Sequence, residues 1–459
     1  MTGITAYSAY VPRYRLARKV IAEAWGAPAA PGMKAVRAFD EDTITMGQAA
    51  ACRCLPYCGA IGGLSFASTS APFWQRSPAS LMAAHCDLPA SAATADFGGS
   101  TRCVAGALRA AFDAAAARGQ STLVVAAEAR EGKPESTEEM LFGDAAAAVA
   151  VGGENVIAEL IGSASHSDDF LDEWRRDFDP HVHSFASRFS TTRGCVANTA
   201  NAARAALAQA GVAVDAVTRA VLPSPDGKSH RELAKALGIA ADRVEDPRAG
   251  DIGVTGAAMP LLLLSHALDT AAPGDVILLA AYGEGADAFV FRVSDQILAL
   301  PRPLLRAEPA MIEYPSYPLY IKLRDWLRST AEAADVSNVL WEREESQNVR
   351  LRGTFCAACG NLQFPMTRVC VVCRSTGNLE ERPMPRTGTV FTYTKDYLYE
   401  APVQPTVMAV VELDGGGKFL CQMTDCVGEV EIGMRVELVL RRMREGPAMH
   451  HYYWKCRAI

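Results

Sequence analysis

Nowhere in the 459 residues does an apolar run reach the length of a bilayer-spanning helix, which excludes an integral helical membrane protein. The opening MTGITAYSAYVPRYRL has no basic segment followed by an apolar block, so it is not expected to be a secretory leader. No cluster of Lys or Arg stands out, and 45 basic against 52 acidic residues leave a net charge of −7. Nucleic acid and membrane are therefore not expected as partners. The 13 cysteines, an odd count, do not suggest a disulfide framework. Apart from two tight pairs with metal spacing they are expected to be reduced and buried, with the cytoplasm as the compartment.

With 49% hydrophobic and 21% charged residues, the chain can bury a large core and fits two or three domains. Residues 1–298 are rich in Ala and Gly, with helical stretches such as Ala197 to Ala210 and short apolar strands such as Val276 to Ala281. Prolines then recur through LPRPLLRAEPAMIEYPSYP, a density that predicts a linker without regular elements. An amphipathic helix, LYIKLRDWLRSTAEAA, is expected next, so residues 299–350 read as linker and docking helix. Alternating stretches such as GTVFTYTKDY, TVMAVVEL and RVELVLRRM predict a small barrel or sandwich at the end of the chain.

The first segment carries an internal repeat. TRCVAGALRAAFDAAAARGQSTLVVAAEA followed by LFGDAAAAVAV matches TGAAMPLLLLSHALDTAAPGDVILLAAYGEGADAFVF in layout. Each has a small-residue turn, a long apolar helix, an apolar strand, then a Gly-acid turn into another strand. Phe142-Gly143-Asp144 answers to Tyr282-Gly283-Glu284, and Thr101 falls opposite Thr255. This is a duplicated α/β unit.

Cys356, Cys359, Cys370 and Cys373 lie in CAACGNLQFPMTRVCVVC with the spacing C-x2-C-x10-C-x2-C. Two such knuckles place four thiolates around one ion and leave no open position, so the spacing predicts a structural zinc holding a short ribbon; an iron site or a redox pair is the alternative.

The ribbon and the following GTVFTYTKDYLYEAPVQPTVMAVVELDGGGKFLCQMTD resemble the rubredoxin-like zinc-ribbon and OB-fold proteins that accompany thiolase-superfamily enzymes of acyl-CoA metabolism. The resemblance implies a ribbon over residues 351–384 and an OB-fold over 385–459, docked on a thiolase-like partner and helping to hold a CoA thioester. Residues 1–298 resemble the hydroxymethylglutaryl-CoA synthase branch of the thiolase superfamily through FDEDTITMGQAA, LFGDAAAAVAVG, LDEWRRDFD, SPDGKSHRELAKALG, GDIGVTGAAMPLLLL and AAYGEGADAFVF. The resemblance implies a duplicated thiolase-like α/β fold, an acyl-CoA substrate and a homodimer, with other acyl-CoA pathway enzymes as further candidate partners.

That branch uses a Cys nucleophile, a Glu, a His and an Asn. The matching positions here are Thr101, Thr69, Pro223 or Ser224, and Val254. A two-residue slip of the alignment would instead make Cys103 the nucleophile. Tyr282, His181 and Asp251 are the remaining candidates for contact with the substrate or for the base. His183 reads as a substrate-contact or surface residue, and His230 as a solvated or capping residue of its helix. Lys228, in the position of a basic residue near the CoA phosphates, and Arg193, or Arg188, are the candidates for cofactor contact. Without the Cys, the resemblance implies a retro-aldol lyase acting on a β-hydroxyacyl-CoA. A condensing acyltransferase like the synthases and a non-catalytic acyl-CoA scaffold remain the alternatives.

Overall fold

The runs TLVVAAE and VILLAAY are too evenly apolar for strands with one wet face, and both are interior strands. In the computed structural model, which describes residues 1–185, 187–302, 311–324, 338–398, 401–426, 428–443 and 450–459, they belong to a nine-stranded sheet. Its strands are β1 (Gly3–Tyr10), β2 (Gly63–Ala67), β3 (Ala93–Phe97), β4 (Thr122–Glu128), β5 (Ala145–Gly152), β6 (Ala158–Ser167), β7 (Arg219–Val221), β8 (Val276–Tyr282) and β9 (Gly285–Val293). The order is β7-β8-β9-β6-β1-β5-β4-β2-β3. Within it β2-β4-β5-β1 and β7-β8-β9-β6 have the same plan, a parallel pair followed by two antiparallel steps. The two plans meet where β1 pairs with β6. The sequence repeat is thus one sheet made of two equivalent halves.

Five main helices cover the sheet: α1 (Thr43–Cys54), α2 (Cys103–Arg118), α3 (Ala197–Ala210), α4 (Gly227–Leu237) and α5 (Met259–Thr270). The repeat-related α2 and α5 share one apolar cluster with both halves, including Leu108, Phe112, Leu261, Leu264, Leu279 and Phe291. A second cluster, with Leu207, Leu233 and Leu278, lies under α3 and α4. Successive residues of β8 therefore enter different clusters, the reason its run cannot alternate with polar residues. Asp42 caps α1 in a capping box with Thr45, Asp226 caps α4, and α2, α3 and α4 end at left-handed glycines.

Met1–Arg37, Asp42–Ala83 and Pro89–Tyr317 form this first compact unit. It extends beyond residue 298 because Ile312–Glu313, inside the expected linker, forms a short strand parallel to Tyr14–Arg15. Where the amphipathic helix was expected, Tyr317–Leu323 is helical, and most of the remaining stretch lies outside the described residues.

The second unit comprises Ala38–Glu41, Ala84–Leu88 and Pro318–Ile459. A three-stranded ribbon of β10 (Arg352–Cys356), β11 (Leu362–Gln363) and β12 (Leu379–Pro383) carries the cysteine knuckles. It is followed by β13 (Thr387–Asp396), β14 (Thr406–Leu413), β15 (Lys418–Gln422), β16 (Arg435–Arg442) and β17 (Tyr452–Ala458), in the order β15-β14-β13-β16-β17. A bridge between Met423 and Cys456, beside a Thr424 N–H to Cys456 C=O bond of 2.8 Å, brings the two ends of this sheet together. It is the closure expected of a small barrel.

This unit contains a buried ionic network. Arg441 has no exposed side-chain surface and lies 2.9 Å from Glu41 and 2.7 Å from Asp425. Lys455 is 2.8 Å from Asp40, and Arg457 is 2.8 Å from Glu437. Burial pushes the Asp40 carboxyl up, but Lys455 and Arg441 together outweigh it and hold the group below the usual carboxylate range.

Candidate active site and ribbon metal centre

The four ribbon cysteines converge as their spacing requires. Their Sγ atoms all lie within 4.8 Å of one another, with 3.5 Å between Cys356 and Cys373 and 3.6 Å between Cys359 and Cys370. A tetrahedral zinc with bonds of about 2.3 Å to sulfur fits such a set, and all four donors are protein thiols. Cys356, Cys359, Cys370 and Cys373 could therefore hold zinc in a closed, structural site.

In the first unit a cavity of about 220 Å³ opens among the carboxyl ends of the strands. Its wall includes Thr69, Thr101, Pro223, Ser224, Val254 and Tyr282, positions scattered over the sequence that the strand ends and helix starts of the two halves bring together. Cys103 is not in the wall. It is the first residue of α2, packs in the apolar core, and burial, aided by the Glu128 charge, pushes its thiol up to about 12. Thr101 points the other way, and its hydroxyl donates to the Tyr282 carbonyl at 2.9 Å. The reason is the turn itself: a Cβ on Gly283 would come 2.6 Å from both Ser100 Oγ and Thr101 Oγ1, so only glycine lets the Tyr282 turn approach this helix start.

β2 and β4 run parallel, with Ala67 opposite Ala126. Two residues further along each strand, Thr69 therefore stands beside Glu128. The Glu128 carboxylate is fully buried and accepts from Thr69 Oγ1 at 3.0 Å, Thr69 N at 3.3 Å, Ala257 N at 3.1 Å, and the Ser70 hydroxyl. Four donors make it an anchor for the loop that carries Thr69. Next on the same strand end, Arg130 lines the cavity, stacks its guanidinium 4.2 Å above the Phe142 ring and pairs through Nη1 with Glu173 at 2.6 Å.

Across the cavity the Tyr282 hydroxyl donates to Asp172. A Cβ on Gly194, within the π-helical turn Ser190–Val196, would collide with that hydroxyl; the glycine gives it room. Burial raises the Tyr282 hydroxyl, and the bond to Asp172 adds to the effect. Burial also raises Asp172, against the hydrogen bond from Tyr282, which lowers it. Burial thus pushes both groups of the pair toward their protonated forms. Cys195, held up to about 12 by burial and then by Asp172, stays a thiol.

The remaining sequence candidates lie outside the cavity wall. His181 is next to Val182, which is in the wall, while His183 stacks on Trp174 and pairs with Asp179 at 3.3 Å. His230 is buried at the start of α4, its Nδ1 3.1 Å from the Leu222 carbonyl. Asp251 is turned onto Arg248, with Nε 2.8 Å away. Arg193 pairs with Asp168 at 2.9 Å, and Lys228, 3.8 Å from Glu232, is exposed just beyond the wall residues Pro223, Ser224 and Pro225. The sequence reading missed Arg130, Asp172, Glu173 and Arg175 in the wall and Glu128 behind it. The matched register of Thr69 and Glu128 on neighbouring strands was the available signal. Among the described residues, no helix is long and apolar enough to cross a membrane.

Comparison with known proteins places these features. Residues 207–292 match the family model "3-Oxoacyl-[acyl-carrier-protein (ACP)] synthase III C terminal", and residues 381–441 match "ChsH2, C-terminal OB-fold domain". The hydroxymethylglutaryl-CoA synthase of Thermococcus gammatolerans is 31% identical over 335 residues, which cover 70% of this chain and 95% of the relative. The same-named protein of Methanopyrus kandleri is 30% identical over 347 residues, 71% of this chain and 98% of the relative. Among solved structures, "MvaS in complex with 3-hydroxy-3-methylglutaryl coenzyme A" superposes with a TM-score of 0.62 at 20% identity, covering 73% of this chain and 94% of the other.

Proposed function

Because the chain belongs to the hydroxymethylglutaryl-CoA synthase family, we propose that its first unit makes or breaks a carbon-carbon bond beside the thioester of an acyl-CoA in the cavity walled by Thr69, Thr101, Ser224, Val254 and Tyr282. The names of the relatives favour bond formation by a condensing acyltransferase over the lyase direction expected from the sequence. The single observation that carries the mechanistic reading is the Asp172–Tyr282 pair facing a cavity whose nucleophile position is Thr101.

Asp172 takes the proton from the carbon next to one thioester, directly or through Tyr282. The resulting enolate adds to the β-keto carbon of the second acyl-CoA, Tyr282 gives its proton to the new alkoxide and regains one from Asp172, and both CoA thioesters stay in the product. Run backwards, the same groups cleave a β-hydroxyacyl-CoA. Neither direction requires an acylated cysteine. Lys228, exposed beyond Pro225, is the proposed contact for the CoA phosphates, with Arg193 as the second candidate. The second unit, by its resemblance, helps to hold the CoA thioester, and zinc keeps its ribbon folded.

The test is to incubate the purified chain with acetyl-CoA plus a β-ketoacyl-CoA, and separately with a β-hydroxyacyl-CoA, following protein mass and CoA products. A longer CoA product, or a shortened one with a released carbonyl compound, and no protein adduct is the expected result. A stable acyl adduct on Cys103 would refute the cysteine-free mechanism. CoA binding without any product would leave the scaffold reading.

A further inference from the structure

The hydroxyls of the cavity wall are largely engaged within the protein. Thr69 donates to Glu128, Thr101 to the Tyr282 carbonyl, Ser224 to the Leu222 carbonyl at 3.0 Å, and Tyr282 to Asp172. Arg175 donates to the Thr69 carbonyl at 2.5 Å. Ser100 Oγ is buried with no partner among the described residues, but it is uncharged and pressed against the Gly283 turn. Arg130 differs from all of these. Only its Nη1 is paired, with Glu173, while Nε is buried with no hydrogen-bond partner among the described residues. Nη2 also has no acceptor among the described residues and is not fully enclosed, and Arg130 lines the cavity.

The guanidinium is held rigidly. The residue is 5% exposed, its plane rests on Phe142, and Glu173 fixes its far end. Gly256 keeps the near side clear: a Cβ there would lie 2.9 Å from Nε and 3.0 Å from Glu128 Oε2. Glu173 pairs with the cation and the Glu128 carboxylate lies close by, which disfavours a further full carboxylate and suits an oxygen that gains charge only during reaction.

We propose that Arg130 is the oxyanion donor of this cavity, its free Nη2 edge hydrogen-bonding the thioester oxygen as the enolate forms. The assignment rests on the acyl-CoA reading above. It makes Arg130 a catalytic residue, and it makes α-proton exchange, the step common to both directions, dependent on it.

Two readouts test this. One is loss of deuterium from the α-carbon of a deuterated acyl-CoA into water, followed by mass spectrometry; the other is the near-ultraviolet enolate band of acetoacetyl-CoA on the protein. Arg130→Gln and Arg130→Lys should each slow exchange by about 100-fold or more and abolish the enolate band, with affinity for an S-alkyl CoA thioether unchanged. Arg219→Gln, at the start of β7 and outside the cavity wall, should keep the band. Wild-type exchange in both Arg130 variants would overturn the assignment and leave the functional reading intact, as would equal losses in Arg219→Gln and Arg130→Lys. If Arg130→Gln does not fold, Arg130→Lys and the wild-type band decide, and a wild type that exchanges protons without an enolate band overturns the assignment. A wild type that binds the thioether but neither exchanges nor forms product would overturn the functional reading and the assignment with it.

Discussion

Replacing Arg441 by Met should unfold the second unit at a much lower temperature. Arg441 is enclosed and lies between Glu41 and Asp425, so its removal strips both carboxylates of their nearest cation where water cannot replace it. Breaking a buried ion pair from one side costs about 3–5 kcal/mol. At about 2–4 °C per kcal/mol for a domain of this size, the transition should fall by roughly 6–20 °C. Scanning calorimetry of the full chain at neutral pH would measure it. The sign of the pH dependence is also set. Asp40 is held below its ordinary value, so its contribution is present above the unfolded carboxylate pKa and disappears as the pH falls through the lower native value. The deficit of the variant should therefore shrink on acidification. Adding Asp425→Leu to Arg441→Met should restore part of the loss, because it removes one of the stranded charges. A shift below about 2 °C, or a deficit unchanged by acid, would refute the idea that this network is satisfied as a unit.

Further outcomes can be stated for the site and the ribbon. Tyr282→Phe should lower turnover by about 10²–10⁴-fold with little change in CoA affinity, measured by steady-state kinetics and calorimetry. If Asp172 is the base, activity should fall as the pH drops through a value above the usual carboxylate range, and the acidic limb should move to still higher pH in Tyr282→Phe, because the lost hydrogen bond was lowering Asp172. Cys103→Ala should retain full activity, with a stability cost of about 1–2 kcal/mol from the small core cavity; inactivation would restore the cysteine mechanism. If the four cysteines hold the proposed zinc, Cys370→Ser or a strong chelator should release it and melt the ribbon strands, detectable by metal analysis and circular dichroism.

Much of the architecture was legible because it is written in local rules. The two repeats announced themselves by helix, glycine, strand and Gly-acid turn in the same order, and each cysteine pair needs only its own knuckle to form a ligand pair. The site was less so. Thr69, Thr101, Ser224, Val254 and Tyr282 could be aligned to positions of known chemistry and do share one wall. Asp172, Glu173 and Arg175, however, sit in LDEWRRDFD, which looks like an ordinary charged loop until its partners Tyr282, Arg130 and the Thr69 carbonyl are placed beside it. Asp251, readable in the sequence as a base or as a turn residue, is held on a turn by its neighbour Arg248, which is in a left-handed conformation. Proline density likewise hid Ile312–Glu313, since a two-residue strand needs only a receptive edge.

The two Gly-acid turns have an evolutionary consequence. Gly143 donates its N–H to the Val254 carbonyl, just ahead of α5, whereas Gly283 lies against Ser100 and Thr101, just ahead of α2. Each half thus lends its turn to the helix start of the other. A single ancestral half could have built such a pocket only by pairing with a copy of itself, and that pair would have had two equivalent pockets. In one chain the two turns are free to differ: Phe142 lies beneath Arg130, whereas Tyr282 carries a hydroxyl that donates to Asp172.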